Sequence, residues 1–286
     1  MKLESIHVYH VSPHVVQLRI PTPTLPPSFE TNSYIIHDGA QAVWVDAGTT
    51  DTVLLNQGLD VLNGLGQPRL LALIATHYHR DHTHGMPYMQ ERTRAPIFIH
   101  RDDEKAMRAE LAPISTLPLE IAAIPSTFTV GKLAVHVHHA PGHTRGHIHV
   151  HIPADSVILV GDHLAGDGSV WIGPPDGNME LYYRALDTIA SGDCEIAGPG
   201  HGPTLTDARA AAVALKERRL NREQQICQLL EKQPLTVDDI VNAIYVGNVP
   251  ESAEWVARRT VLAHLERLMG LHRVASDVTS GKWRCV

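Results

Sequence analysis

The chain has 286 residues, of which 43% are hydrophobic, and its formal net charge is −7 with histidine counted as neutral. This composition is typical of a globular protein and excludes a disordered or collagen-like chain. The negative charge argues against a protein that binds nucleic acid mainly through phosphate contacts. Only the part from Lys216 onward carries a small positive excess, 11 Lys and Arg against 9 Asp and Glu.

The chain shows neither a membrane-spanning pattern nor a secretion pattern. No segment approaches the roughly 20 consecutive apolar residues that cross a bilayer, and the first ten residues lack the apolar core of a signal peptide. The cysteines lie far apart and form no C-x-x-C pair, which argues against a disulfide framework or a thiolate zinc site. We therefore expect a cytoplasmic protein without membrane contacts, and the sequence leaves an organelle matrix open.

Strands and helices are both predicted in the first two thirds of the chain. Alternating apolar residues predict short strands within residues 6–46, which a proline-rich loop over 21–29 interrupts. Helices are predicted over 51–65 and near 101–110. Further strands are predicted at residues 70–75, 97–100, 132–139, 147–152 and 156–162. This order indicates an α/β architecture.

The composition changes to helix-forming residues near Asp207. Residues 208–232 predict one long helix or two abutting ones, and Thr236 is a typical cap for a second helix. A third helix is predicted to begin at Ser252 or Glu254, and the last residues predict a hairpin with its turn near Ser280 and Gly281. Three helices and a hairpin are the pattern of a winged helix. The chain is therefore predicted to divide into a catalytic domain, 1–207, and a helical C-terminal domain, 208–286.

A dense group of possible metal ligands follows the strand predicted at 70–75. The segment T-H-Y-H-R-D-H-T-H-G, residues 76–85, holds His77, His79, Asp81 and His82. Buried imidazoles at this density repel one another when protonated and are costly without a partner. A divalent transition metal removes that cost, because each imidazole donates a neutral lone pair. We expect His77 and His79 to bind one ion, and Asp81 and His82 to begin a second site.

Three further candidate ligands each lie where a predicted strand gives way to a loop. His143 lies in H-A-P-G-H-T-R-G-H, Asp162 ends V-I-L-V-G-D, and His201 lies in the glycine-rich A-G-P-G-H-G-P. A catalytic zinc ion commonly takes three protein ligands and keeps one position open. These three residues supply the ligands that the first segment lacks.

The order of these motifs resembles the metallo-β-lactamase superfamily over residues 1–205. The tail resembles the winged-helix appendage of the β-lactamase-like protein 2 group. The resemblance implies a four-layer αββα sandwich and two divalent ions, for which we expect zinc and leave iron and manganese open. It assigns His77, His79 and His143 to one ion, Asp81, His82 and His201 to the other, and Asp162 to both.

The chemistry expected from this resemblance is hydrolysis by a metal-bridging hydroxide, with Asp81 and Asp162 as catalytic carboxylates. The favoured substrate is a small acyl compound, which is a thioester, ester or lactone. One alternative is an endoribonuclease that cleaves single-stranded RNA with the same metals. Another is an iron-dependent sulfur oxygenase, which the complete set of ligands for the second ion disfavours. A homodimer stays possible.

Several other side chains have predicted roles around the metals. His147 is expected to donate to a ligand carboxylate or carbonyl, or simply to bond to backbone, whereas His149 and His151 alternate with apolar residues as strand-surface histidines. Aromatic residues that would line a substrate cleft, or else belong to the core, are Tyr78, Trp171, Tyr182 and Tyr183.

Two surface features are also predicted to lie near the cleft. The loop over 21–29 falls where the superfamily has a flap over the site. Three arginines, Arg258, Arg259 and Arg267, lie off the apolar stripe of the third C-terminal helix and offer contacts to phosphates. We favour a different role for the appendage, which is to cover one side of the cleft or to support dimer packing.

Overall fold

The computed structural model describes residues 5–25, 28–245 and 253–286. Its first sheet has seven strands in sequence order, antiparallel from β1 to β4 and parallel from β4 to β7. These strands are β1 His7–Ser12, β2 Val15–Pro21, β3 Glu30–His37, β4 Gln41–Val45, β5 Arg69–Ile74, β6 Ile97–Ile99 and β7 Ile121–Ala123.

The second sheet has five strands in the order β12, β11, β10, β9, β8. Only the pair of β11 and β12 is parallel. These strands are β8 Thr127–Val130, β9 Leu133–His139, β10 Ile148–Ile152, β11 Val157–Gly161 and β12 Ile196–Pro199.

The described helices surround the two sheets and extend into the C-terminal part. They are α1 Thr52–Gly64, α2 Arg80–Thr83, α3 Met86–Thr93, α4 Arg101–Leu111, α5 Met179–Ser191, α6 Ala208–Leu230, α7 Val237–Tyr245 and α8 Glu254–Gly270. The helices predicted at 51–65 and 101–110 are confirmed as α1 and α4. The stretch predicted at 208–232 forms one helix rather than two, and it ends at Leu230. The sequence did not predict α5.

Strand periodicity places apolar side chains on both faces of each sheet. In β4, Val43 and Val45 face the second sheet, whereas Ala42 and Trp44 face the helices α1, α3 and α4. In β11, Val157 contributes to the core between the sheets and Ile158 to the core beneath α5 and α6. Three stacked apolar layers therefore separate four layers of structure, and the predicted αββα sandwich is confirmed.

The C-terminal part has its own core, formed by the end of α6, by α7 and α8, and by a hairpin of β13 Val274–Asp277 and β14 Lys282–Cys285. Gly281 takes a left-handed conformation in its turn, with φ of 66°, which glycine adopts at little cost. The predicted winged helix is confirmed. Of the two starts predicted for its third helix, Ser252 lies outside the described residues and Glu254 is where α8 begins.

Helix α6 belongs to both parts of the molecule. Ala208, Ala212 and Leu215 pack in the core beneath the second sheet, whereas Ile226 and Leu230 pack in the C-terminal core. The proposed boundary between residues 207 and 208 lies at the N-cap of this helix, where Asp207 accepts a hydrogen bond from the Ala210 N–H. Across residues 5–25, 28–245 and 253–286, no helix combines the length and hydrophobicity that crossing a bilayer requires.

Candidate metal centre

Strand ends from both sheets bring the predicted ligands to one edge of the sandwich. His77 and His79 follow β5, and Asp81 and His82 lie on the short helix α2. The remaining candidates come from the second sheet: His143 from the loop between β9 and β10, Asp162 directly after β11, and His201 after β12. Residues far apart in sequence therefore share one small volume.

Three histidines form the first group. Nε2 of His77 lies 3.1 Å from Nδ1 of His79, and Nε2 of His143 lies 2.9 Å from the same Nδ1 atom. Nitrogen ligands of a tetrahedral zinc ion, each about 2.0–2.1 Å from the metal, stand about 3.3 Å apart. Both distances to Nδ1 of His79 are close to that spacing, and the three ligand atoms lie within 4.8 Å of one another.

Asp81, His82 and His201 form the second group, in which the ligand atoms lie within 4.8 Å of one another. Nε2 of His201 lies 3.6 Å from Oδ2 of Asp81, and the ring centroids of His82 and His201 are 5.2 Å apart. The hydroxyl of Thr24 donates to Oδ2 of Asp81 over 2.5 Å. The loop predicted as a flap thus reaches the centre at Thr24, whereas its residues 26 and 27 lie outside the described part.

Asp162 faces the two groups with different oxygen atoms. Its Oδ2 lies 3.5 Å from Nε2 of His143, in the first group. Its Oδ1 lies 3.3 Å from Nε2 of His82 and 3.5 Å from Nε2 of His201, in the second group. This carboxylate therefore stands between the two groups.

The donor atoms fit a metal centre. Among the described residues, Nε2 of His82 and Oδ1 of Asp162 are buried without a hydrogen-bond partner. An unpaired buried polar atom is costly, and a cation that accepts both lone pairs removes the cost. A set of imidazoles and carboxylates suits zinc, and also iron or manganese.

Groups outside the motif orient the ligand imidazoles. His82 donates from Nδ1 to Oδ2 of Asp46 over 2.8 Å. In the same way, Nδ1 of His143 donates to the carbonyl of Trp171 over 2.7 Å, and Nδ1 of His201 to the carbonyl of Glu30 over 2.9 Å. Each bond fixes the tautomer that leaves Nε2 free to bind a metal.

Asp46 is a site residue that the sequence did not predict. It is 2% exposed and also accepts from the N–H and hydroxyl of Thr76, both over 2.8 Å. Its backbone has a φ of 58°, a conformation that residues other than glycine rarely adopt. The available signal was its position at the end of A-V-W-V-D, an apolar strand that stops at a carboxylate.

The pKa values of the histidines are shifted in opposite directions in the two groups. Burial lowers the pKa of His77 and His143, and burial with the neighbouring His143 lowers the pKa of His79 to about 3. In the second group, burial alone would lower the pKa of His82 and His201. The charge of the Asp162 carboxylate acts against burial, and the pKa of both imidazoles is raised. The first group therefore offers neutral lone pairs over a wide pH range.

The histidines behind Asp162 follow the prediction only in part. His147 is buried, and its Nε2 accepts from the N–H of Asp162 over 3.1 Å, so it bonds to backbone as an acceptor and supports a ligand residue. His149 is fully buried, and its Nε2 lies 2.7 Å from Nδ1 of His163. The prediction of a strand-surface histidine is therefore wrong. The helices α5 and α6 cover this face of the second sheet. The alternation of residues within one strand does not show that such a layer is present.

The predicted cleft residues separate into two pairs. Tyr78 and Trp171 lie at the centre: the Tyr78 hydroxyl donates to Asp176 over 2.5 Å, and the Trp171 ring lies 6.2 Å from that of His79. Tyr182 and Tyr183 lie on α5 instead, 0% and 2% exposed. Their hydroxyls donate to the His163 carbonyl and to Glu223, so the structure places both in the core rather than in a cleft.

The arginines predicted to offer phosphate contacts are engaged within the chain. Arg267 donates to Glu223 over 2.6 Å and to Glu180 over 2.9 Å. Arg258 pairs with Asp238 over 2.8 Å. Arg259 donates to the carbonyl of Pro174 over 3.0 Å. These arginines therefore bind other parts of the chain and fix the position of α8.

Two sheets between helices, with histidines and aspartates at their common edge, are the features of a metallo-β-lactamase fold. Residues 27–201 match the family model described as the Metallo-beta-lactamase superfamily, and residues 236–283 match that of the Beta-lactamase associated winged helix domain. The chain belongs to the metallo-β-lactamase superfamily. The predicted class, a hydrolase of this superfamily, is confirmed at that level.

Relatives align over most of the chain. An atrochrysone carboxyl ACP thioesterase of Aspergillus chevalieri is 24% identical, covering 96% of this chain and 87% of its own length. A beta-lactamase-like protein 2 homolog of Drosophila melanogaster is 25% identical, covering 83% of this chain and 82% of its own. The predicted resemblance to this group is confirmed.

Solved structures show the same fold. A beta-lactamase domain protein from Burkholderia ambifaria superposes with a TM-score of 0.84 at 18% identity, covering 98% of this chain and 93% of that one. A metallo-beta-lactamase family protein from Thermus thermophilus gives a TM-score of 0.79 at 20% identity, covering 97% and 100%. Both alignments include the C-terminal part of the chain.

Proposed function

We propose that this chain is a dinuclear zinc hydrolase that cleaves acyl thioesters with water. His77, His79 and His143 would hold one ion, and Asp81, His82 and His201 the other. Asp162 would bind both ions, and the observation that carries the proposal is the direction of its two oxygens, Oδ2 toward His143 and Oδ1 toward His82.

The thioester is proposed from the relatives. The ACP thioesterase of Aspergillus chevalieri aligns with 96% of the chain, which includes its C-terminal domain. In the reaction, a water oxygen bonds to the acyl carbon and the carbon–sulfur bond breaks, which yields a carboxylic acid and a thiol. Zinc bound at the centre supplies Lewis acidity, which polarises the carbonyl and makes water acidic near neutral pH.

The protein's own residues provide position and charge. Asp162 fixes the two groups relative to one another. The other carboxylate, Asp81, accepts a hydrogen bond from the Thr24 hydroxyl. Burial acts to raise the pKa of Asp81, but His82 and His201 lower it. It is therefore ionised at neutral pH and orients the attacking water as a hydrogen-bond acceptor.

The test compares wild type with Asp162→Asn on four substrates: an acyl thioester, a lactone, bis-p-nitrophenyl phosphate and single-stranded RNA. We expect two zinc ions per wild-type chain by elemental analysis, and a loss of thioester hydrolysis of more than about 100-fold in the variant. Asp155→Asn is the matched control, because Asp155 also accepts from a histidine, His14, outside the centre. Phosphodiester cleavage that depends on Asp162, without acyl turnover, would contradict the proposal.

A further inference from the structure

Two tryptophans from different domains meet beside the candidate metal centre. Trp171 lies in the segment between β11 and α5, and Trp255 lies in the first turn of α8. Their ring centroids are 5.4 Å apart with an angle of 70° between the planes, so the rings form an apolar corner. Trp255 is 41% exposed in the described part of the chain, which leaves a large apolar surface open.

Trp171 connects this corner to the metal ligands. Its ring lies 6.2 Å from the His79 ring, nearly parallel at 22°, and 6.3 Å from the His143 ring. Its carbonyl also accepts the hydrogen bond that orients His143. The acyl group of a substrate whose carbonyl carbon lies at the centre would therefore have the Trp171 ring as its neighbour. The Trp255 ring is in turn the neighbour of the Trp171 ring.

Close packing holds the corner in place. A Cβ atom at Gly173 would lie 2.9 Å from Cβ of Arg259 and 2.9 Å from Nε1 of Trp171, so glycine permits the approach of α8 to this segment. Arg259 donates to the Pro174 carbonyl, and its guanidinium carbon lies 5.9 Å from the Trp255 ring centroid. The aromatic surface is thus formed before a substrate arrives, which lowers the entropic cost of binding.

We propose that Trp171 and Trp255 form the acyl-binding subsite, and that it selects thioesters whose acyl group is a flat aromatic ring system. This inference rests on the proposed function. Two rings at 70° offer one face for stacking and one edge for a T-shaped contact, which are the arrangements that aromatic pairs prefer. A two-carbon acyl group is too short to cover both rings. Trp255 is therefore a specificity-determining residue contributed by the winged-helix domain.

The first test measures kcat/KM for the 2-naphthoyl and acetyl thioesters of N-acetylcysteamine. In Trp255→Ala, we expect the ratio of naphthoyl to acetyl kcat/KM to fall about tenfold, and in Trp255→Phe we expect most of the ratio to return. Met269→Ala is the matched control, because Met269 is an exposed apolar residue, 43% accessible, near the other end of the same helix. An unchanged ratio in Trp255→Ala, or an equal fall in Met269→Ala, would overturn the proposal.

A second test separates this subsite from the proposed reaction. The metal-loaded protein is titrated with 2-naphthoate and with acetate by calorimetry, which requires no turnover. We expect Trp255→Ala to weaken naphthoate binding about tenfold relative to acetate. If wild type hydrolyses no thioester, the proposed function fails, and the naphthoate titration still decides the subsite. Equal naphthoate affinity in wild type and Trp255→Ala refutes it.

Discussion

At the scale of single residues, the direction of each ligand atom depends on side chains and carbonyls far away in sequence. His82 belongs to a compact motif on α2, but its tautomer is set by Asp46, which directly follows strand β4. His143 and His201 depend on backbone carbonyls in the same way. A motif therefore names the ligands, whereas its surroundings decide which nitrogen faces the metal.

Replacing Asp46 tests this dependence. In Asp46→Asn the amide presents either an oxygen or an N–H to His82, so the imidazole loses its carboxylate and its fixed tautomer. We expect a loss of about 10–100-fold in affinity for the second zinc ion and little change for the first, measured by competition with a chromophoric chelator. Asp155→Asn, which disturbs the His14 pair instead, should leave both affinities unchanged. Equal loss at both sites would contradict a role through His82.

At the scale of secondary-structure elements, one buried carboxylate joins three helices. Glu223 of α6 is 2% exposed and lies 2.6 Å from Nη1 of Arg267 on α8. It also accepts from the Tyr183 hydroxyl of α5 over 3.0 Å and lies 3.2 Å from Nδ1 of His264. This network fixes α8, and with it Trp255, against the catalytic domain.

Removing this carboxylate leaves the Arg267 guanidinium, whose side chain is 16% exposed, without its buried partner. We expect Glu223→Ala to lower the free energy of unfolding by about 3 kcal/mol, since it leaves Arg267 only the half-exposed Glu180 as a partner and removes the acceptor of the buried Tyr183 hydroxyl. Denaturant titration measures the change. Glu217→Ala, at an exposed position of the same helix, should stay within about 0.5 kcal/mol of wild type. A similar small effect of Glu223→Ala would refute the structural role.

At the scale of the whole molecule, α6 prevents the two domains from being independent bodies. Its first half lies in the core beneath the second sheet and its last turns lie in the C-terminal core. Melting either core therefore removes the packing that supports part of the same helix. The domain boundary that the sequence predicts at residue 207 marks a change of composition. It does not separate the two cores, because α6 packs in both.

We expect thermal unfolding in a single cooperative transition, with calorimetric and van't Hoff enthalpies that agree. Leu215→Ala and Leu230→Ala, one in each half of α6, should each cost about 2–5 kcal/mol and lower the midpoint of that same transition. Differential scanning calorimetry measures both effects. Two resolved transitions, with each variant shifting only one of them, would show that the domains unfold separately.

Patterns within short segments predicted several features correctly. The helical pattern over 51–65 predicted α1, and the change of composition near Asp207 predicted α6. Long-range packing decided what these patterns left open. His149 alternates with apolar residues like a surface residue, yet helices and loops cover its face of the sheet. For Tyr182 and Tyr183 the sequence left a cleft and the core as alternatives, and the packing of α5 decided for the core.

The sequence by itself determined the mixture of strands and helices and the presence of a histidine- and aspartate-rich cluster, because local periodicity and short motifs carry that information. The order of the motifs indicated the family, and the layered sandwich followed from that resemblance. Only the tertiary structure decided that Asp46 orients His82, that the Asp162 oxygens point in two directions, and that Trp255 reaches Trp171. Each of these contacts joins residues from separate elements or depends on which way a side chain turns. Such contacts form only when strands and helices from distant parts of the chain pack together.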